Sequence, residues 1–258
     1  MSSAPPSVLV FAATDPTGGA GLQADLLAAA SLGCHPLSVV TAVTVQDTAG
    51  VEEVQPLEAA LVERQARRVL AETRVAAFKL GVLGSVENVR AVARIVAEQP
   101  KVPLVLDPVL ASGRGDPLAT EAMIAALLEL VVPRATIATP NSPEARRLGG
   151  ESALRQKGCR YVLVTGTHDA GVQVVNTLYG PGGLARAERW ERLPGEYHGS
   201  GCTLASAIAA CLALGRDVET AAHEAQEYTW QTLAAAFRSG KGQLTPDRLF
   251  RLRETESR

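Results

Sequence analysis

The chain has no excess of either charge: 25 Lys and Arg stand against 27 Asp and Glu, a net charge of −2 over 258 residues. With no basic stripe to meet phosphates and no polybasic patch to meet anionic lipid, nucleic acid and membrane surfaces are excluded as main partners. Cysteine is also scarce. Cys34, Cys159, Cys202 and Cys211 form no C-x-x-C pair and have no His at metal-ligand spacing. The opening Met-Ser-Ser-Ala-Pro-Pro lacks a charged region ahead of its short apolar run, which predicts a cytoplasmic protein with reduced thiols. Internal repeats and low-complexity linkers are absent, and a 47% hydrophobic chain of this length can bury a large core. The expectation is one domain spanning residues 1–258, frayed only in the charged tail Arg251–Arg258.

What the chain does have is alternation. Val8–Ala13, Leu37–Val45, Ala76–Leu80, Pro103–Asp107, Thr136–Thr139 and Tyr161–Thr165 read as buried strands. Ala20–Leu32, Leu57–Ala71, Val86–Gln99, Pro117–Val131 and Pro143–Leu148 read as helices between them. Such an order predicts an α/β fold with a mostly parallel sheet covered by helices on both faces. The order then changes. Val172–Tyr179 and Leu184–Leu193, around Gly180-Pro-Gly-Gly183, predict a late edge hairpin, followed by helices over Thr203–Leu214 and Val218–Arg238.

Two glycine-rich segments carry the chemical signal. His198-Gly-Ser-Gly-Cys-Thr203 precedes an Ala- and Leu-rich run, so its free backbone amides are expected at a helix start, where they suit an anion. A thiol there is the one expected to have a lowered pKa, which makes Cys202 the candidate reactive group; Cys34, Cys159 and Cys211 read as small core residues. The second segment, Ala13-Thr-Asp-Pro-Thr-Gly-Gly-Ala-Gly-Leu-Gln-Ala-Asp25, also links a strand to a helix, but its glycines do not fit the G-x-G-x-x-G dinucleotide pattern. Gln46, Asp47, Asp107, Asn141 and Glu144 fall at or just past strand ends, where open α/β sheets collect ligands. His168 and His198 flank these loops without a nucleophile to serve and read as structural.

These motifs, with Gln46–Val51, Lys79–Leu83, Val105–Val109, Gly115–Pro117 and Thr139–Glu144, occur in an order that resembles the bacterial hydroxymethylpyrimidine/phosphomethylpyrimidine kinases of thiamine biosynthesis, in the ribokinase superfamily. The resemblance covers most of the chain. It implies a ribokinase-like fold, ATP and Mg2+ as cofactors, a small pyrimidine substrate and a homodimer. Asp25 and Gln46 match polar contacts to the aminopyrimidine, and Ala13, Val82 and Val109 match its small or apolar walls. Gly199, Ser200 and Gly201 match the anion hole, and Cys202 matches a general base or hydrogen-bond acceptor for the hydroxymethyl group. Asp107, Asn141 and Glu144 match positions around magnesium and the ATP phosphates, with Asp107 and Glu144 as metal contacts that can run through water. Thr165 and Gly166 fall on the ATP side.

The chain departs from the pattern mildly at Ala13, where the family usually has Gly, and at Ser200, where it usually has Thr, and more strongly in two further places. Thr165-Gly-Thr-His168 stands where the family usually has Lys-Gly-Gly-His, and the connection Gly149–Gly158 is short. Arg114 and Lys157 are the basic residues expected to be able to replace the lysine. Two alternatives remain open: a pyridoxine or pyridoxal kinase, whose substrate also offers a ring-borne hydroxymethyl group, and a pyrimidine-binding protein without catalysis.

Overall fold

A computed structural model describes residues 4–255; Met1–Ser3, within the opening segment, and Ser257–Arg258, within the tail, lie outside the described residues, as does Glu256. Eight strands form the main sheet: β1 Ser7–Ala12, β2 His35–Val40, β5 Val75–Leu80, β6 Leu104–Leu106, β7 Ile137–Ala138, β8 Tyr161–Thr165, β9 Gln173–Gly180 and β10 Gly183–Glu191. Their order is β10-β9-β8-β7-β6-β5-β1-β2. The six strands from β2 to β8 run parallel, and the edge hairpin β9–β10 runs antiparallel, as the order of elements predicted.

The central strands β1, β5, β6 and β7 are largely apolar because both faces are covered. In β1, Leu9 and Phe11 point into a core shared with Val62 and Ala66 of helix α2 (Ala59–Leu70), Val89 and Ile95 of α3 (Val86–Ala97) and Met123 of α4 (Glu121–Ala126). The alternate residues Val8, Val10 and Ala12 point into a second core with α1 (Gly21–Ser31), α7 (Ser200–Ala213) and α8 (Val218–Ala234). A side-chain period of two makes this division automatic. It also sets the site. Counting by twos from Ala77, Val105 and Leu163, all in the second core, places Lys79, Asp107 and Thr165 on the face that carries α7.

Several boundaries differ from expectation. The run Leu37–Val45 breaks at Thr41, whose hydroxyl donates to the Val82 carbonyl, and the chain leaves the sheet to form β3 (Ala42–Gln46) and β4 (Val51–Pro56), a separate antiparallel pair. The alternation of exposed Val43 and Val45 with buried Ala42 and Thr44 fits this half-covered ribbon. Helix α4 loosens into a π-turn over Leu127–Val131 as it approaches Pro133, which lacks an amide proton. After α5 (Ser142–Arg147), the short connection contains α6 (Gly150–Gln156), and Phe250–Thr255 in the tail forms α9 rather than fraying from Arg251. Among the described residues, no helix is long and apolar enough to cross a membrane.

Candidate active site

The C-terminal strand ends bring both glycine segments together. Gly199 adopts φ 77°, a conformation open to glycine, and starts α7 so that the first amides of the helix, on Ser200, Gly201 and Cys202, have no partner inside it. A Cβ on Gly199 would lie 2.1 Å from the Gly19 carbonyl oxygen, so backbone packs directly on backbone there. At Gly201 the situation is opposite. A Cβ would meet only Asp107 Oδ1, at 4.0 Å, leaving open space over the amides.

Asp15 organises the first segment. Its carboxylate accepts from the Thr17 amide at 2.8 Å, the Ala20 amide at 2.6 Å and His198 Nε2 at 2.9 Å. Burial opposes its charge, yet these hydrogen bonds hold its pKa below the usual carboxylate value. His198 therefore joins one glycine turn to the other, the structural role expected of it.

Beneath the amides lies a charge cluster. Lys79, fully buried near the C-terminal end of β5, donates to both Asp25 oxygens at 2.8 and 2.9 Å and lies 3.6 Å from Asp107 Oδ2. Ser206 of α7 adds a 2.7 Å hydrogen bond to Asp25 Oδ1. Burial would pull the lysine pKa down, but the Asp25 and Asp107 carboxylates beside it outweigh burial and keep the ammonium charged. Burial raises the pKa values of both carboxylates, with Lys79 opposing the rise. Asp107 Oδ2 has no hydrogen-bond partner.

Cys202 reverses the expected direction. Burial is the main cause, with Asp107 and Asp25 adding repulsion, and together they push the thiol up to about 12 despite Lys79 and a Gly21 amide hydrogen bond. The helix terminus contributes only about half a unit charge, too little to offset burial. Cys202 is a protonated, half-buried thiol. The remaining cysteines are free and buried, and burial raises each of their pKa values.

The other expected site residues have specific surroundings. Asp25 exposes no surface, and its oxygens accept from Lys79 and Ser206. Gln46 Nε2 donates to Thr44 Oγ1, whose own hydroxyl donates to the Thr14 carbonyl, so the small sheet is tied to the glycine segment beside the site. Ala13 is buried at the end of β1; Val82 and Val109, past β5 and β6, are half-buried. Asn141 and Glu144 form a reciprocal capping box on α5, and Glu144 Oε1 accepts from the Leu110 amide at 3.2 Å. Burial, then repulsion from Asp107, pushes Glu144 up to about 7.

On the ATP side, Thr165 ends β8, its carbonyl accepting from Ser142 Oγ, and the Gly166 amide donates to Asn176. A Cβ on Gly166 would lie 2.3 Å from the Val175 carbonyl oxygen. The two basic residues expected to be able to replace the family lysine lie apart from Thr165 or are engaged elsewhere. Lys157 caps the far end of α6, before β8 begins, so it is separated from Thr165 by the length of the strand, roughly 13 Å at 3.3 Å per residue. Arg114 is on the correct edge, but its guanidinium donates to the Ala49 carbonyl in an exposed turn. Sequence reasoning quoted Lys79 without giving it a role and passed over Asp15 and Arg248. A lysine inside a strand otherwise apolar was the available signal for the first.

An open α/β sheet with an amide cradle at a helix start, a buried cation behind it and an unsatisfied carboxylate beside it defines a ribokinase-like small-molecule kinase. The comparisons give the family. The family model for phosphomethylpyrimidine kinase matches residues 15–247, and the chain belongs to that family. It is 39% identical over 254 residues to a hydroxymethylpyrimidine/phosphomethylpyrimidine kinase of Streptomyces coelicolor, covering 92% of each chain. A Mycobacterium tuberculosis protein of the same name is 38% identical, covering 96% of this chain and 95% of that one. Among solved structures, an ADP complex of Bacillus subtilis pyridoxal kinase matches at TM-score 0.87 and 26% identity, over 96% of this chain and all (100%) of that one. A phosphomethylpyrimidine kinase from Clostridium difficile matches at 0.77 and 30%, over 88% of this chain and 99% of that one. The chain is a kinase, and the reading as a binder without catalysis is set aside.

Proposed function

We propose that the chain transfers the γ-phosphoryl group of ATP to the hydroxymethyl oxygen of 4-amino-5-hydroxymethyl-2-methylpyrimidine, and then phosphorylates the monophosphate, in thiamine biosynthesis. The observation that carries this reading is the set of helix-start amides on Ser200, Gly201 and Cys202 without partners inside α7, beside Asp107, whose Oδ2 accepts no hydrogen bond. The names of the sequence relatives supply the substrate. We place the reaction in the cytoplasm, where ATP is made and the free thiols stay reduced.

The amides of Ser200, Gly201 and Cys202 receive the transferring group, whose charge is spread over its equatorial oxygens. Ala13, Val82 and Val109 wall the ring, and Gln46 meets its polar edge. Asp25 fixes Lys79 from below instead of touching the ring. Because Cys202 is protonated, its sulfur aligns the hydroxyl as a hydrogen-bond acceptor; as the new C–O–P linkage forms and the bond to ADP breaks, the hydroxyl proton passes to sulfur while the thiol proton moves to Asp107. The donor set also fits a metal. Asp107 Oδ2 lacks a partner and Glu144 is repelled by it, and two such carboxylates, completed by water and phosphate oxygens, suit Mg2+. Bound there, Mg2+ would neutralise charge on the ATP phosphates.

The test is ADP release from Mg-ATP with the pyrimidine alcohol, with the products identified by mass spectrometry. Formation of mono- and diphosphate is expected. The close backbone match to pyridoxal kinase makes pyridoxal the competing substrate, and an equal or higher kcat/KM for pyridoxal would overturn the assignment.

A further inference from the structure

The C-terminal strap runs along both glycine turns and the small sheet before it ends. Gly242 and Gln243 bind Thr48 beside the small sheet, and the Leu244 carbonyl accepts from the His198 amide at 2.8 Å. The strap then delivers Arg248, only 3% exposed, to the base of the anion cradle. Its Nε donates to Thr203 Oγ1 at 2.9 Å, and Thr203 in turn donates to the Gly199 carbonyl at 2.8 Å. Nη1 reaches the Gly18 carbonyl at 3.4 Å; Nη2 reaches Gly19 at 2.5 Å and Gly199 at 3.4 Å.

Every acceptor is neutral. Among the described residues, none of the ion pairs includes Arg248; Asp15 and Asp25 act on it only through space. A buried cation ordinarily needs a direct counter-ion, and this one instead spends its donors on the carbonyls of the two glycine turns. Arg248 complements Asp15. The aspartate gathers N–H groups of those turns, and the arginine gathers their C=O groups, so the turns are clamped at both poles, with the positive pole behind the cradle.

We propose that Arg248 is a positioning residue for phosphoryl transfer, holding the Gly18–Gly19 and Gly199 turns in register and charging the Ser200–Cys202 cradle from behind. This rests on the kinase reading above. A guanidinium is suited to the task because it stays charged and its planar fork binds several oxygens at fixed angles.

The experiment compares wild type with Arg248→Met, Arg248→Lys and Tyr228→Phe. Tyr228 donates to the Arg248 carbonyl at 2.9 Å, so its loss loosens the same strap without removing the charge. Arg248→Met should lower kcat by about ten- to a hundred-fold, the range for groups that orient those in direct contact, with KM for the pyrimidine alcohol within about two-fold. Arg248→Lys should recover part of the loss, and Tyr228→Phe should keep kcat within about three-fold at a similar loss of urea midpoint. Calorimetric binding of inorganic pyrophosphate should weaken in Arg248→Met with a shallower salt dependence. Unchanged kcat and pyrophosphate affinity in Arg248→Met, or equal kcat losses in Arg248→Met and Tyr228→Phe, would overturn the proposal. If wild type turns over no substrate but pyrophosphate binding still depends on Arg248, the kinase reading fails and the charge assignment stands.

Discussion

Replacing Lys79 with Met keeps roughly the same volume near the C-terminal end of β5 and removes the cation that, among the described residues, directly contacts Asp25. At an effective dielectric constant near 20, unit charges 2.8 and 3.6 Å apart attract by roughly 6 and 5 kcal/mol before desolvation is subtracted. Breaking a buried pair on one side costs about 3–5 kcal/mol net, because the remaining charge is stranded. The carboxylates can escape by taking up protons, and that escape has a calculable limit. Protonating a group of ordinary pKa near 3.9 costs about 1.4 kcal/mol per pH unit above it, hence about 5.5 kcal/mol at pH 8 but about 1.5 at pH 5. In the variant, folded-state pKa values are raised above their unfolded values, so stability is retained at low pH and lost as pH rises. Lys79→Met should therefore lose about 3–5 kcal/mol in urea unfolding at pH 8 and about 1–2 kcal/mol at pH 5, with unchanged m-values. If the single variant fails to fold, Lys79→Met with Asp25→Asn should restore folding by removing the stranded charge. A loss below about 1 kcal/mol at pH 8, or the same loss at both pH values, would refute the reasoning.

Three further expectations can be tested together. Gly199→Ala, with its Cβ 2.1 Å from the Gly19 oxygen and φ at 77°, should cost at least about 1–3 kcal/mol of stability, whereas Gly201→Ala should be neutral or stabilising in denaturation yet depress turnover by filling the cradle; parallel stability losses would contradict the distinction. With a pKa near 12, Cys202 should react with iodoacetamide at a rate that climbs about tenfold per pH unit up to pH 10, and a plateau near pH 8 would reveal a thiolate. Cys202→Ala should reduce kcat by about 10²–10⁴ if the thiol relays a proton, and a few-fold drop would remove that role. Thr165→Lys should lower KM for ATP, because Lys157 is remote and Arg114 is tied to Ala49, while Lys157→Ala should leave ATP kinetics unchanged; an effect of Lys157→Ala alone would refute the placement.

The sequence by itself determined the layers and the edge of the sheet that holds the site. Apolar strand runs and helix-period segments set the α/β order locally, and the glycines before α7 marked an anion cradle because only glycine accepts the backbone conformation at Gly199. What tertiary structure decided depends on groups distant in the chain. Lys79 and Asp25 are 54 residues apart, Asp25 and Ser206 181, and Arg248 and Gly19 229, and no local period reports such meetings. Those meetings changed the chemistry. The helix start pointed to a thiolate at Cys202, but burial, reinforced by two carboxylates that arrive only once β5, β6, α1 and α7 pack together, keeps the thiol protonated. Asp25, read as a ring contact, became the counter-ion of a buried lysine for the same reason: an ammonium without water must find its anion inside the fold.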